Sequence, residues 1–205
     1  MLSAFLHGLI LAIGLIIPLG VQNIFVFNQG AMQLSWWRAL PAILTASFCD
    51  TFLIILAVLG VSLIVLELPW LKLVIYVLGL FFLLYMGWVI WHTRVDPDTQ
   101  SKNILSPWRQ VRFALAVSLL NPHAIIDSVV VIGTNSLPYT GSAKIAFTVA
   151  CVLLSWIWFF SLATAGHYLH RLDKSGRMLL LLNKLSALII WAIAVYIVLQ
   201  LFKMI

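Results

Sequence analysis

The chain has 205 residues, of which 63% are apolar and 9% are Asp, Glu, Lys or Arg, and its mean hydropathy is +1.11. A water-soluble fold of this length cannot bury that much apolar surface, so the composition excludes a soluble enzyme and predicts an integral membrane protein. The net charge of +6 does not indicate a nucleic-acid partner, because the twelve Lys and Arg residues are spread over short loops and form no dense basic patch.

Six apolar segments are long enough to cross a hydrocarbon core of about 30 Å, which takes roughly 20 helical residues. The sequence therefore predicts an all-α integral membrane protein with six transmembrane helices. The first segment has no Lys or Arg before it and is too long for a cleaved secretory signal, so we expect it to remain in the mature protein. The segments lie near residues 4–27, 39–66, 69–91, 112–133, 144–166 and 181–202.

A polar stretch rich in Asp, Ser and Lys divides the six segments into two groups of three. We therefore predict one three-helix repeat over residues 1–91, a cytoplasmic loop over 92–110 and a second three-helix repeat over 111–205. Because each half has an odd number of spans, two similar halves insert with opposite orientations. That is the inverted-repeat architecture of many secondary transporters.

Basic residues are distributed unequally between the two sides of the predicted bundle. The loops after the odd-numbered segments hold nine Lys and Arg residues, and the other side holds three. The bias predicts that the odd-numbered loops are cytoplasmic and that both termini lie outside, whereas a re-entrant segment would reverse the N-terminus. The nine residues are Arg38, Arg94, Lys102, Arg109, Arg112, Arg171, Lys174, Arg177 and Lys184.

Two prolines interrupt the first and fourth apolar segments. Pro18 and Pro122 each lack a backbone N–H and free a carbonyl one turn earlier, so we expect both helices to be kinked or locally unwound. Irregular backbone at membrane depth is tolerated only where it is buried or lines a cavity. Gly20, Gln22 and Asn23 next to the first break are therefore expected at such a cavity, the alternative being a simple proline kink.

Asp50 lies in the middle of the second apolar segment, about twelve residues after Arg38. A charged carboxylate at that depth costs roughly 2.5 to 3.5 kcal/mol on insertion scales. We therefore expect Asp50 to face the interior of the bundle and to meet a cation, a proton or water. The alternative is a protonated acid that hydrogen-bonds a neighbouring backbone group.

A second polar cluster comprises Asn121, Pro122, His123 and Asp127 in the fourth segment. His123 and Asp127 are four residues apart and share a helix face, so the acid could orient the imidazole, accept its proton or bind a cationic solute. The alternative is a polar clamp between helices. Because only one histidine stands at membrane depth, no resident metal is predicted, although a metal-cation transporter built on Asp50, His123 and Asp127 stays an alternative.

These motifs resemble those of the lysine exporter (LysE) family of bacterial amino-acid translocators, most closely its arginine exporter branch, over nearly the whole chain. The resemblance rests on residues 18–23 (Pro-Leu-Gly-Val-Gln-Asn), Asp50, and residues 120–123 (Leu-Asn-Pro-His) with Asp127. Val21 is a difference, because the family usually has proline there. Related exporters of neutral amino acids have Asn-Pro-Lys in the fourth-segment motif and lack the following acid, so Asp127 favours a cationic substrate.

The resemblance implies a secondary transporter in the bacterial inner membrane that exports arginine or lysine, or an analogue such as canavanine, coupled to the proton gradient or the membrane potential. The expected substrate-binding residues are Asp50, Asp127, Asn23, Gln22, His123 and Asn121, with helix breaks at Pro18, Gly20 and Pro122. We expect no catalytic residue, no cofactor and contact with membrane lipids, and the small residues in the spans permit a homodimer. A metal or other cation exporter, a neutral amino-acid exporter and a non-transporting scaffold stay open.

Overall fold

A computed structural model describes residues 1–16, 20–60, 69–92, 104–120, 125, 131–172 and 177–202. All regular elements within these ranges are helices, which confirms the all-α class for this part of the chain. A 3₁₀ turn at Trp36–Ala39 leads into the third helix. The helices are α1 (Leu2–Ile16), α2 (Val21–Met32), α3 (Leu40–Val58), α4 (Pro69–Trp91), α5 (Pro107–Leu119), α6 (Gly133–Ser136), α7 (Gly141–Leu172) and α8 (Arg177–Phe202).

Two stretches of helix, Trp36–Val58 and Gly141–Leu169, are long and apolar enough to span a membrane. The pair α1 and α2 makes a third candidate if the two helices form one bent span. Shorter apolar stretches occur at Tyr76–Trp91 and Asn183–Leu199. The chain is thus a helical, multi-pass membrane protein, whereas the six spans and their inverted repeat remain predictions.

The first predicted span is not one straight helix, because α1 and α2 meet at an angle of 79°. Pro18 lies outside the described residues, and Gly20 precedes α2 with extended backbone. The Asn23 side chain on the first turn of α2 donates a hydrogen bond of 2.9 Å to the Ile16 carbonyl. Ile16 is the last residue of α1, so this bond supplies a partner to one of the carbonyls that a helix end leaves unsatisfied.

Prolines and a glycine mark several helix ends. Pro69 and Pro107 each occupy the first position of a helix, where the missing N–H costs no intrahelical bond. Helix α5 therefore begins inside the predicted loop 92–110. Helix α3 ends at Val58, because Gly60 has a φ of +93° and cannot continue an α-helix, and residues 61–66 of the predicted segment lie outside the described residues.

Helix α2 lies at the centre of the described helices, with ten of its twelve residues buried. The long helix α7 packs against α1, α2 and α3, while α4 and α8 form a pair beside them. Small residues allow α2 and α7 to approach closely. A Cβ atom on Gly30 would overlap the backbone of Ala163, and one on Gly166 would overlap the Phe27 carbonyl.

Candidate functional site

The Asp50 carboxylate lies where α2, α3 and α7 meet. Gln22 Nε2 on α2 donates a hydrogen bond of 3.2 Å to Asp50 Oδ1. Ser155 Oγ on α7 donates one of 2.8 Å to Asp50 Oδ2. The predicted placement of this acid toward the bundle interior agrees with these contacts, since both partners come from other helices. We call Gln22, Asp50 and Ser155 the carboxylate site.

The two donors of the carboxylate site are neutral side chains. Their hydrogen bonds orient the carboxylate and are stronger than bonds to a neutral acceptor, but they do not cancel its charge. Each carboxylate oxygen has two lone pairs, so each retains capacity for a further donor. The site can therefore accept a proton or the N–H groups of a cation.

Neighbouring contacts fix the register of α3 against α7 at this level. Trp156, next to Ser155, donates its indole N–H to Thr51 Oγ1 at 3.0 Å. The Trp156 ring also meets the Phe48 ring edge-on, with ring centroids 5.2 Å apart. Contacts on both sides of Asp50 thus hold α7 in place and keep the Ser155 hydroxyl on the carboxylate.

A chamber with a volume of about 420 Å³ lies farther along α2, near the helix ends that adjoin the basic loops. Its walls are mostly apolar and come from α2, the C-terminal part of α4, the middle of α5 and Leu105. Asn28, Gln29 and His92 are the polar residues among those that line it. Asn28 Nδ2 also donates to Asn183 Oδ1 on α8 at 2.9 Å.

A family model described as LysE type translocator matches residues 13–201. The chain belongs to the LysE type translocator family. This confirms the resemblance that the sequence motifs indicated. The LysE family is one of translocators, which agrees with the expectation of a protein that is not an enzyme.

Relatives cover nearly the full length of this LysE family member. A Bacillus subtilis (strain 168) protein named "Putative amino-acid transporter YisU" is 54% identical over 201 residues, which cover 98% of this chain and 91% of the relative. The arginine exporter protein ArgO of Serratia proteamaculans (strain 568) is 33% identical over 201 residues, covering 95% of each chain. The ArgO protein of Pectobacterium carotovorum subsp. carotovorum (strain PC1) is 32% identical over 203 residues, covering 95% and 96%. No solved structure matches the chain significantly.

Three of the six predicted substrate-binding residues of this LysE protein fall within the described ranges. The structure brings Gln22 and Asp50 into contact, whereas Asn23 donates to the Ile16 carbonyl at the end of α1. The joint site of two acids therefore stays a prediction. The other predicted site residues, Asn121, His123, Asp127, Pro18 and Pro122, lie outside the described residues.

Ser155 is the member of the carboxylate site that the sequence did not single out. Serine in an apolar helix often bonds a carbonyl of its own preceding turn, as Ser161 does with the Ile157 carbonyl at 2.7 Å. Nothing in the local sequence distinguishes Ser155 from Ser161. Only the packing of α7 on α3 gives Ser155 its acidic partner.

Within the described ranges, no group of three or more His, Cys, Asp or Glu side chains is close enough to hold a metal ion. Two residues of the metal alternative, His123 and Asp127, lie outside those ranges. Cys49 and Cys151 are free and buried. That alternative is therefore untested by the described part of the chain.

Proposed function

We propose that this LysE family member is a secondary transporter that exports the basic amino acids arginine and lysine across the cytoplasmic membrane. The observation that carries the proposal is the Asp50 carboxylate held between two neutral donors where three helices meet. The two ArgO relatives, which are named as arginine exporters, support the choice of substrate.

Electrostatics favours a cationic solute at this position. A carboxylate in a poorly solvated site attracts a cation several times more strongly than it does in water, and its own burial is costly without a counter-charge. A guanidinium group offers several N–H donors in a planar arrangement that matches a carboxylate. The free lone pairs of Asp50 therefore suit the side chain of arginine, and in a simpler geometry the ammonium group of lysine.

Asp127 is the second acid of the proposed site. Helix α5 precedes it in the chain and packs against α3, the helix that carries Asp50. Asp127 and Asn121 would bind the part of the solute that Asp50 does not reach, and His123 would orient Asp127 or relay its proton. Helix ends at the Pro18 and Pro122 breaks would bind the solute carboxylate.

Proton exchange fits the energetics of export better than the membrane potential alone. Moving one positive charge out of a cell with a negative interior costs about 2.3 kcal/mol per 100 mV. If Asp50 binds one proton from outside for each cation that it releases there, the exchange carries no net charge. The membrane potential then no longer opposes export, and the proton gradient drives it.

Arginine efflux from loaded cells tests the carboxylate site. We expect Asp50→Asn and Asp127→Asn to lose efflux at matched protein abundance, because each replaces an anionic ligand with a neutral amide of the same shape. Asp50→Glu is the control that retains the charge, and it should retain part of the efflux. Unchanged efflux in both Asn variants would contradict the proposal.

A further inference from the structure

The chamber and the carboxylate site lie along one face of α2. Gln22, Phe25 and Gln29 are spaced i, i+3 and i+7, which places them on one stripe of the helix. At a rise of 1.5 Å per residue, Gln22 and Gln29 are about 10 Å apart along the axis. Phe25 and Gln29 line the chamber, and Gln22 contacts Asp50. The two sites are therefore consecutive along α2.

An aromatic pair stands between the two sites. Phe25 is one turn from Gln22 and one turn from Gln29, and its side chain is only 5% exposed. Its ring centroid lies 4.7 Å from that of Phe113 on α5. Both rings line the chamber. Phe25 is therefore the residue of α2 that lines the chamber closest to Gln22, and the pair lies at that end of the lining.

The lining of the chamber suits a small zwitterion with an extended side chain. Its volume is within the range of small-molecule sites, about 300 to 1,000 Å³, and such sites combine apolar walls with a few polar groups. Asn28 and Gln29 each offer a donor and an acceptor, which suit a carboxylate and an ammonium group. The described lining includes no Asp or Glu, so it offers no anionic side chain with which to select a cation.

Asn183 positions one of these amides. Asn183 Oδ1 accepts the hydrogen bond from Asn28, and Asn183 is only 2% exposed. This contact with α8 therefore fixes the orientation of the Asn28 amide. The Phe25 and Phe113 faces can meet either the hydrocarbon part of a long side chain or a guanidinium plane. Recognition in the chamber therefore depends on the α-amino acid group and on side-chain length.

We propose that the chamber is a first binding site without an acidic side chain in its described lining, where long-chain α-amino acids bind from the side of the basic loops before a cation reaches Asp50. This inference rests on the proposed function and divides it between two sites. The chamber recognises the amino acid, and the carboxylate site selects its charge. Citrulline, the uncharged isostere of arginine, should therefore bind in the chamber and compete with arginine without being exported.

The test is protection of a cysteine placed in the chamber wall. Val89 lines the chamber from α4, and the native Cys49 and Cys151 are 6% and 0% exposed, so the parent protein provides the blank. A membrane-impermeant thiol reagent is added to inside-out vesicles that contain Val89→Cys. We expect labelling, and we expect arginine and citrulline each to slow it several-fold. Ser106→Cys, at an exposed position before α5, is the control that neither amino acid should protect.

Adding Asp50→Asn separates this inference from the proposed function. Protection of Val89→Cys should persist in the double variant even where export is lost. The inference is overturned if Val89→Cys is not labelled, if arginine protects but citrulline does not, or if Asp50→Asn abolishes protection. Met32→Cys, in the opposite wall, replaces Val89→Cys if the latter does not fold. Normal export by Asp50→Asn would contradict the proposed role of the carboxylate site. Protection of Val89→Cys would still test binding in the chamber independently.

Discussion

The hydrogen bond from Ser155 to Asp50 is the contact of the carboxylate site that can be removed with the least change in volume. We expect Ser155→Ala to leave the fold intact and to reduce arginine export about tenfold or more, because a hydrogen bond to a charged group contributes about 1.5 to 3 kcal/mol. The measurement is the initial rate of arginine uptake into inside-out vesicles at several arginine concentrations.

Ser161→Ala is the matched control for that change. Ser161 lies on the same helix, is exposed, and bonds only a carbonyl of its own preceding turn among the contacts described. Its replacement should leave the uptake rate unchanged. An equal loss of arginine uptake in both variants would indicate that the serine hydroxyls stabilise helix α7. The Ser155 bond to Asp50 would then have no separate role.

The amino-acid sequence predicts an interior position for residues whose burial in lipid is costly at any depth of the membrane. Asp50 is such a residue, since an acid in an apolar segment requires an interior partner whatever the fold. Gln22 was predicted to lie at a cavity because it is close to Pro18, where a helix break was expected. Ser155 could not be predicted, because a hydroxyl group can satisfy itself on its own helix. The contact of Ser155 with Asp50 thus depends on which helices pack together.

The close packing of α2 on α7 decides whether the central helix is held in place. We expect Gly30→Ala to lower the melting temperature and the yield of folded protein, because the new methyl group would overlap the backbone of Ala163 rather than a flexible side chain. Gly166→Ala should have the same effect through the Phe27 carbonyl. Thermal unfolding in detergent, followed by size-exclusion chromatography, measures both.

Gly14→Ala is the control for the substitutions of Gly30 and Gly166. A Cβ atom on Gly14 meets nothing within 4 Å, and alanine favours the helix by about 0.5 to 1 kcal/mol over glycine. Its melting temperature should be equal to that of the parent or slightly higher. If Gly30→Ala behaved like Gly14→Ala, the two helices would have to be separated more widely than the structure shows.

Apolar segment lengths predicted the helices well where one uninterrupted helix covers the whole segment. The predicted segment 69–91 coincides with α4, and 144–166 lies inside α7. The predictions were less accurate where local backbone chemistry interrupts an apolar run. The end of α3 at Val58, before Gly60, falls inside a predicted apolar segment, whereas the 79° angle between α1 and α2 agrees with the kink that was expected at Pro18.

For the whole molecule, the predicted positive-inside bias, the proposed binding site in the chamber and the carboxylate site would together define one direction of transport. A solute would enter from the basic side, pass the Phe25–Phe113 pair and reach Asp50. The predicted inverted repeat would complete this path with a counterpart of the α1–α2 break in the fourth segment, at Pro122, which lies outside the described residues.

The energy source is the prediction that involves the whole transport cycle. If Asp50 exchanges one proton for one arginine cation, transport is electroneutral, and a pH gradient drives it while a membrane potential does not. Inside-out vesicles with an acidic lumen should therefore accumulate labelled arginine, and an ionophore that exchanges potassium for protons should stop the accumulation. A potential imposed with valinomycin at equal pH should have no effect. Accumulation driven by the potential alone would show that the cation moves without a compensating proton, and Asp50 would then act as a fixed counter-charge.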